Sequence, residues 1–379
     1  MTHPVVVIGA GAAGLLAALT AARRGVDVVL VESTEDGGRK ILISGGGRCN
    51  ILPSVAQPER YVTASSPNTL RKILRSWPLA EQRAFFETEL RMPLALEAET
   101  GKLFPSSQRA RDVRDSLIAR VRIWFGTRVT GLSSDAGVWT VELQGAPRIE
   151  ARAVIVATGG LSVPSTGSDG AGLSIVRALG HEVHDTYPAL TPLTAAPHPH
   201  ASLAGVATDV TLSATDSKPA FSTTGALLVT HRGWSGPAVL DASHLATRGR
   251  PDGVRQEILV DWAGSETIAW DAALRESAGT VRAVVAARLP RRLADALVLE
   301  AGVAPETPLA QLRRSDRQRI VDTLTVYPLP WTGHEGYQKA EVTGGGVALA
   351  EIDPRTMESR RAPGLYLCGE ILDAFGPIG

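Results

Sequence analysis

"PVVVIGAGAAGLLAALTAARRGVDVVLVES", Pro4 to Ser33, decides the fold. "VVVI" is apolar at every position, the pattern of a strand buried on both faces of a parallel sheet. Gly9, Gly11 and Gly14 then give G-x-G-x-x-G at the start of an alanine-rich helix ending at Gly25, and a second apolar strand follows. This is a βαβ unit. In such a turn the first glycine permits the tight bend, the second lets a pyrophosphate approach the backbone, and the third lets helix and strand pack closely. Free N–H groups at the helix start, over Ala12 and Ala13, favour an anion.

Glu32 ends the second strand, 18 residues past Gly14, with Ser33 beside it. Its carboxylate can accept hydrogen bonds from ribose hydroxyls, and an acid there disfavours a 2′-phosphate. The expected ligand is therefore FAD or NAD rather than NADP. A glycine turn that merely tightens a sheet would leave Glu32 unexplained.

Outward from this unit the chain alternates in character. Helix-compatible stretches run from about Pro67 to Leu90 and from Arg109 to Arg122, with "TGKLFPSS" between them as a turn, and "TRVTGLSSDAGVWTVEL" is a hairpin with Asp135 to Gly137 at its tip. "ARAVIVATGG" is another fully apolar strand, and "GSDGAGLSIVRALGHEV" adds a turn, a helix and a short strand. Past Pro188, Thr, Ser, Ala and Pro dominate and short antiparallel strands are expected. Residues from about 265 to 324 are Ala-, Leu- and Arg-rich helices, and "GLYLCGEILDAFGPIG" returns to a buried strand and loop. We expect an α/β Rossmann-like nucleotide domain (1–187 and 336–379) interrupted by a β-rich insert (188–264 and 325–335) and a helical insert (265–324).

The 379 residues exceed one ordinary core. Lys plus Arg balance Asp plus Glu at 39 each, so composition favours neither nucleic acid nor an anionic membrane. Cys49 and Cys368 are 319 positions apart, which excludes a CxxC pair and points to a reducing cytoplasm. Val5 to Ala22 is broken by glycines and lacks a basic lead, so neither a signal peptide nor a membrane span is expected. The eight histidines lack metal-ligand spacing, and no metal is expected.

What separates FAD from NAD is "GRKILISGGGRCN", Gly38 to Asn50, directly after the acid. Three consecutive glycines suit a backbone that something approaches closely. "VIVATGG" ends on Ala157, Thr158 and Gly159, and the last strand ends on Gly369, Glu370 and Asp373. In two-dinucleotide-binding flavoproteins these three places carry FAD. We therefore expect FAD contacts from Arg39, Lys40, Ser44, Gly45, Gly46, Arg48, Cys49 and Asn50, with the loop through Gly376 and Gly379 closing the site. Arg48 has two equal readings, a phosphate contact and an internal ion pair.

With "VIGAGAAGL", "GRKILISGGGRCN", "VIVATGG", "TGSDGAGLSIVRALGH", "THRGWSGPAVLDAS", "AEVTGGGV" and "GLYLCGEILDAFGPIG", the sequence resembles the BaiN/RdsA-type NAD(P)/FAD-dependent oxidoreductases, the YhiN-like flavoproteins, over nearly its whole length. The resemblance implies FAD, with NADH or NADPH as transient reductant passing hydride through the flavin N5 to a polarised carbon–carbon double bond. It implies substrates as different as a steroid-like small molecule and a uridine of ribosomal RNA. Two departures stand out. Leu52-Pro53 replaces the family's usual Thr-Asn, and the family's Gly-Tyr-Asn element and final helix are absent from these residues. We expect the native chain to continue beyond Gly379.

Cys49 is open to three readings: an inert buried thiol, a proton donor to the carbon opposite the hydride, or a non-catalytic flavin contact. His231 in "THRGWSGP" is a candidate to protonate substrate or simply to bond backbone, with Ser235 and Gly236 at a cavity edge. His334, Tyr337, Lys339 and Glu341 are read as hinge structure. The Arg-rich stretches "QRARDVRDSLIAR", "RLPRR" and "RRSDRQR" are read as solvated helix faces before RNA contacts. The rivals to a reductase are an amine or amino-acid oxidase, and an RNA- or protein-binding module that retains FAD as a relic.

Overall fold

The computed structural model describes residues 2–214, 220–249, 255–264 and 268–378. The chain divides into two compact units, one comprising residues 1–187 with 342–377, the other 188–341.

The first unit opens with β1 (Thr2–Ile8), α1 (Ala12–Arg23) and β2 (Val28–Val31), followed by α2 (Arg39–Ile43) and a short helical turn at Ser44–Gly47. Next come β3 (Leu52–Pro53), α3 (Pro67–Ser76), α4 (Leu79–Ala84), β4 (Leu94–Glu97), β5 (Lys102–Pro105) and α5 (Ala110–Ile118). The segment read as a turn, "TGKLFPSS", is instead half of a hairpin: β5 pairs antiparallel with both β4 and β3. Four residues with a terminal proline are too short for period-2 alternation to stand out in the sequence.

Then β6 (Ile123–Trp124), β7 (Val129–Asp135), β8 (Val138–Leu143), β9 (Ala146–Val156), α6 (Ala171–Ala178) and β10 (Val183–Ala189) lead to the second unit. The β7–β8 tip, Ala136 and Gly137, has positive φ at both residues, as a tight hairpin turn requires.

β6, β2, β1 and β9 form a parallel core sheet. Why every position of "VVVI" is apolar is now visible, since successive side chains leave opposite faces. Val7 and Leu30 pack with Leu15 of α1 and Val113 and Leu117 of α5. Val6, Ile8, Val29 and Val31 pack on the other face with Val154, Leu173 and Val176 of α6.

The second unit contains β11 (Leu193–Thr194), β12 (Ala207–Ala214), β13 (Phe221–Val229), β14 (Gly233–Ser235), α7 (Pro237–Ala242), α8 (His244–Thr247), β15 (Leu259–Asp261), α9 (Trp270–Glu276), α10 (Val281–Val285), α11 (Arg291–Glu300), α12 (Arg314–Thr325), β16 (Tyr327–Pro328) and β17 (Gly333–His334). Among the described residues, seven of its strands form one sheet, β16-β15-β12-β13-β14-β11-β17. The β-rich and helical stretches share one core: Leu212 and Val260 from the sheet lie in the same cluster as Leu274, Val285, Leu297 and Leu324 from the helices.

β18 (Val342–Val347) and β19 (Leu365–Leu367) complete the first unit. β19 extends the parallel sheet beside the C-terminal half of β9. Among the described residues, no helix is long and apolar enough to cross a membrane, and no cluster of three or more His, Cys, Asp or Glu could hold a metal ion.

Candidate cofactor site

At the carboxyl ends of β1, β2 and β9 lies a cavity of about 400 Å³, within the size range of small-molecule sites. Its floor is the glycine turn. Gly9 has φ +99°, and a Cβ there would sit 2.8 Å from the Ala157 carbonyl; a Cβ on Gly14 would sit 1.9 Å from the Gly9 carbonyl. Gly14 therefore lets α1 rest on β1 and does not itself line the cavity. At Gly11 a Cβ would meet nothing within 4 Å, so the space is left open on the cavity side, where Gly11, Ala12 and Ala13 start α1. N–H groups of a first helical turn have no partner within the helix and can receive an anion.

Glu32 is buried at the cavity wall next to Ser33. One carboxylate oxygen accepts from the Ala10 N–H at 2.7 Å, and the other from the Thr34 N–H and hydroxyl, both at 2.7 Å. The oxygen that takes only the Ala10 N–H retains acceptor capacity for a ligand hydroxyl.

α2 supplies the next wall through Arg39, Lys40 and Ile41. Its position is set by Arg114 of α5, which donates to the carbonyls of Gly37 at 3.2 Å and Asp36 at 2.5 Å. The sequence places Arg114 on a solvated helix face; its side chain is instead largely buried and clamps the loop before α2. Lys40 Nζ donates to Ser162 Oγ at 2.7 Å and pairs with Glu370 at 3.0 Å.

Ser44, Cys49 and Asn50 reach the cavity, whereas Gly45, Gly46 and Arg48 do not line it. Gly45 and Gly46, at φ +55° and +66°, turn the chain on itself, and a Cβ on Gly45 would strike the Asn50 N–H at 2.8 Å. Gly45 thus serves the loop's own packing, whereas at Gly46 a Cβ would meet nothing within 4 Å and only the positive φ calls for glycine. Arg48 pairs with Glu97 at 2.8 Å and stacks over Phe104 at 4.2 Å, the internal one of its two readings. Cys49 is buried with φ +64°, a backbone region that side-chain-bearing residues seldom occupy. Burial pushes its thiol above the ordinary value, against a smaller opposing hydrogen bond with Ser44.

Ala157, Thr158 and Gly159 follow β9, and Gly369 and Glu370 follow β19, all lining the cavity. Two buried atoms there have no hydrogen-bond partner, Asn50 Oδ1 and Thr158 Oγ1. Buried polar atoms without partners are costly, and in a cavity they await a ligand.

Asp373 and Gly376 lie off the cavity. One Asp373 oxygen accepts from the Thr63 and Ser65 hydroxyls and from the Ala64 and Ser65 N–H groups, each at 2.9 Å, so this acid organises the 63–65 loop. Gly376 packs against the Tyr61 ring. Gly379 lies outside the described residues. His231 is exposed on the turn between β13 and β14 of the second unit, and Gly236 follows β14, where a Cβ would lie 2.5 Å from the Ala226 carbonyl. His334 accepts from the Gly336 N–H within its own loop.

Sequence reading missed Thr34, Arg128, Ser168 and Asp169, all on the cavity wall. Arg128 and Asp169 pair at 2.7 Å. Burial raises the Asp169 carboxyl, but the Arg128 guanidinium and the Ala171 N–H outweigh it and hold the acid below its usual range. The signal available was "TGSDGAG", a glycine–aspartate turn before a helix like that at Gly9.

These features fit FAD: an anion-receiving helix start, an acid at the end of β2, and partnerless polar atoms deeper in the cavity. Over residues 3–379 the chain matches the family described as HI0933-like protein Rossmann domain. It is 33% identical to a ribosomal RNA dihydrouridine synthase of Escherichia coli (strain K12), covering 99% of this chain and 92% of that protein. It is 31% identical to a 3-dehydro-bile acid delta(4,6)-reductase of Clostridium scindens, covering 98% and 93%, and 30% identical to a ribosomal RNA dihydrouridine synthase of Haemophilus influenzae, covering 99% and 93%. Matched over nearly its whole length, the chain belongs to the HI0933-like Rossmann-domain family of flavin-dependent oxidoreductases.

Proposed function

We propose that this chain is a cytoplasmic FAD-dependent reductase that saturates a carbon–carbon double bond polarised by a carbonyl, with NADH or NADPH as electron source. The observation that carries the reading is the cavity at the strand ends, lined by Cys49, whose thiol burial pushes above its ordinary value, and by Asn50 and Thr158, whose Oδ1 and Oγ1 have no partner. The names of the relatives support it, because forming dihydrouridine and reducing a delta(4,6) bond both saturate such a bond.

FAD, when bound, supplies hydride exchange. The chain supplies the rest. The first turn of α1 and the loop at Gly9–Ala13 receive the pyrophosphate, and Glu32 accepts from the ribose. Asn50 and Thr158 offer their free acceptor and hydroxyl to the cofactor. Cys49 holds the proton that saturation of a double bond requires at the second carbon. With its thiol raised by burial, Cys49 is an acid rather than a nucleophile at neutral pH.

The interrupted nucleotide domain (1–187 and 336–379) remains our proposal for the cofactor-bearing part, with the insert shaping substrate choice. Both a small enone and a uridine in RNA are open as substrates. Two of the arginines that an RNA reading would use already have acidic partners: Arg317 pairs with Asp271 and Arg319 with Asp316. The small molecule is therefore the first reading.

The test is to purify the full chain, record its visible spectrum, and follow bleaching by NADH and NADPH with a panel of enones and uridine-containing RNA. A yellow protein bleached by a nicotinamide and reoxidised by an enone is expected. Steady peroxide formation with amines would replace the reductase by an oxidase, and a colourless protein that takes up no FAD would end the reading.

A further inference from the structure

We infer that Lys40 and Glu370 form a charge pair that sets the reduction potential of the bound flavin, Lys40 facing the cofactor and Glu370 acting as its positioning residue. The inference rests on the flavoprotein reading above.

Lys40 projects from α2 into the cavity wall with its side chain about 29% exposed. Of its three ammonium N–H groups, one goes to Ser162 Oγ at 2.7 Å and one to Glu370 at 3.0 Å; the third has no partner among the described residues. Glu370 is held harder. Its Oε1 accepts from Ser162 Oγ at 2.7 Å and from the Thr343 N–H at 2.9 Å, while Oε2 takes Lys40. Ser162 is fully buried, and Thr343 Oγ1 in turn accepts from the N–H groups of Leu161 and Ser162 at 2.7 and 3.0 Å. The close packing leaves no room at residue 160, where a Cβ would lie 2.4 Å from Thr343 Oγ1. Four chain segments thus converge to fix one ammonium group at the edge of one cavity.

Such a partly buried pair is a poor stabilising device. Desolvating both ions offsets much of their attraction, and apolar residues of similar volume would hold the segments as well. What the pair provides is a fixed cation with a spare N–H at the edge of the cavity, where its charge acts on whatever occupies the cavity. Adding electrons to a flavin adds negative charge. A cation facing it favours the reduced state, and the carboxylate beside the cation, on the same cavity wall, limits that bias.

The signs are opposite for the two members. Lys40→Gln leaves the Glu370 carboxylate uncompensated, so reduced FAD binds less well relative to oxidised FAD and the potential falls. Glu370→Gln leaves Lys40 uncompensated and the potential rises. Each change should be roughly tenfold in the ratio of the two affinities, about 30 mV for a two-electron couple. The double variant should return close to the parent, as should Lys40→Arg.

The experiment measures the potential of the FAD-loaded full chain and these variants against reference dyes, together with FAD affinity at low and high salt. Opposite shifts that cancel in the double variant support the pair. Potentials that stay put or move together overturn it, as does a Lys40→Gln effect confined to salt-dependent FAD affinity, which would make Lys40 a phosphate ligand. If Lys40→Gln is recovered without FAD, the direction for Glu370→Gln decides: upward supports, zero or downward overturns. Absence of FAD from the parent chain would instead sink the flavoprotein reading itself.

Discussion

Cys49 shows how much one position can hold. Its φ of +64° puts a side-chain-bearing residue where glycine is favoured, at a cost of about 1 kcal/mol or more, and the loop keeps it there. Cys49→Ala retains the Cβ and so retains that strain; only the thiol is lost. FAD loading should be unchanged while substrate saturation slows roughly 100-fold, the usual scale for a general acid. Stopped-flow reoxidation by an enone measures this, and equal rates would leave Cys49 as packing. Because burial holds the thiol protonated, the Cys49-dependent rate should be flat through neutral pH. It should fall only on the alkaline side, above the ordinary thiol value of 9.0. Asp373 makes the opposite case. At 2% exposure, with four donors on one oxygen, it serves the 63–65 loop. Asp373→Asn should cost about 2 kcal/mol in thermal unfolding and leave the flavin spectrum untouched.

At the scale of elements, the strand–turn–helix at residues 2–23 separates packing from ligand clearance within three residues. Gly14→Ala drives a Cβ to 1.9 Å from the Gly9 carbonyl, so α1 must lift from β1. A loss of about 3 kcal/mol or more, with loss of FAD, is expected from such overpacking. Gly11→Ala meets nothing of the protein within 4 Å. The apo form should melt as the parent does while FAD affinity drops, and calorimetry of both forms distinguishes the two effects. The βαβ unit was legible because its signals are short-range: periodicity, three glycines and an acid within 29 residues of sequence. The β4–β5 hairpin was not, because β5 is held in part by pairing with β3, Leu52 opposite Leu103, rather than by a pattern of its own.

For the whole molecule, the second unit carries a pH-sensitive feature apart from the cofactor. His244 is buried against Phe221, its ring centroid 5.1 Å away, and donates through Nδ1 to the Asp241 carbonyl at 2.8 Å. Burial first of all, with Arg248 adding to it, lowers its pKa from 6.5 to about 4, despite the opposing bond to Asp241. The unfolded chain therefore binds the proton more readily than the folded one between those values. His244's contribution is fully present above pH 6.5 and is lost on acidification toward pH 4, by up to about 1.4 kcal/mol per pH unit. Below pH 4 no further loss comes from this group. His244→Phe should flatten the dependence of Tm on pH across that window, and an unchanged slope would exclude His244 as its source. The division of the insert into a β-rich and a helical part reflected local composition faithfully, yet Trp234, Trp262 and Trp270 sit in one core to which sheet and helices both contribute. Composition reports what an element is made of, not which face another element covers.

Local pattern alone made legible a parallel Rossmann-type sheet, the glycine turn at the start of its first helix, and the acid at Glu32, since each depends on residues close together in the chain. Which side chains reach the cavity was settled by contacts across long separations. Lys40 meets Glu370 over 330 positions, and Asp373 turns to residue 63 over 310. No periodicity records such meetings; they arise when the sheet brings the ends of β2, β9 and β19 together, and the need to satisfy buried polar groups then chooses among the residues found there.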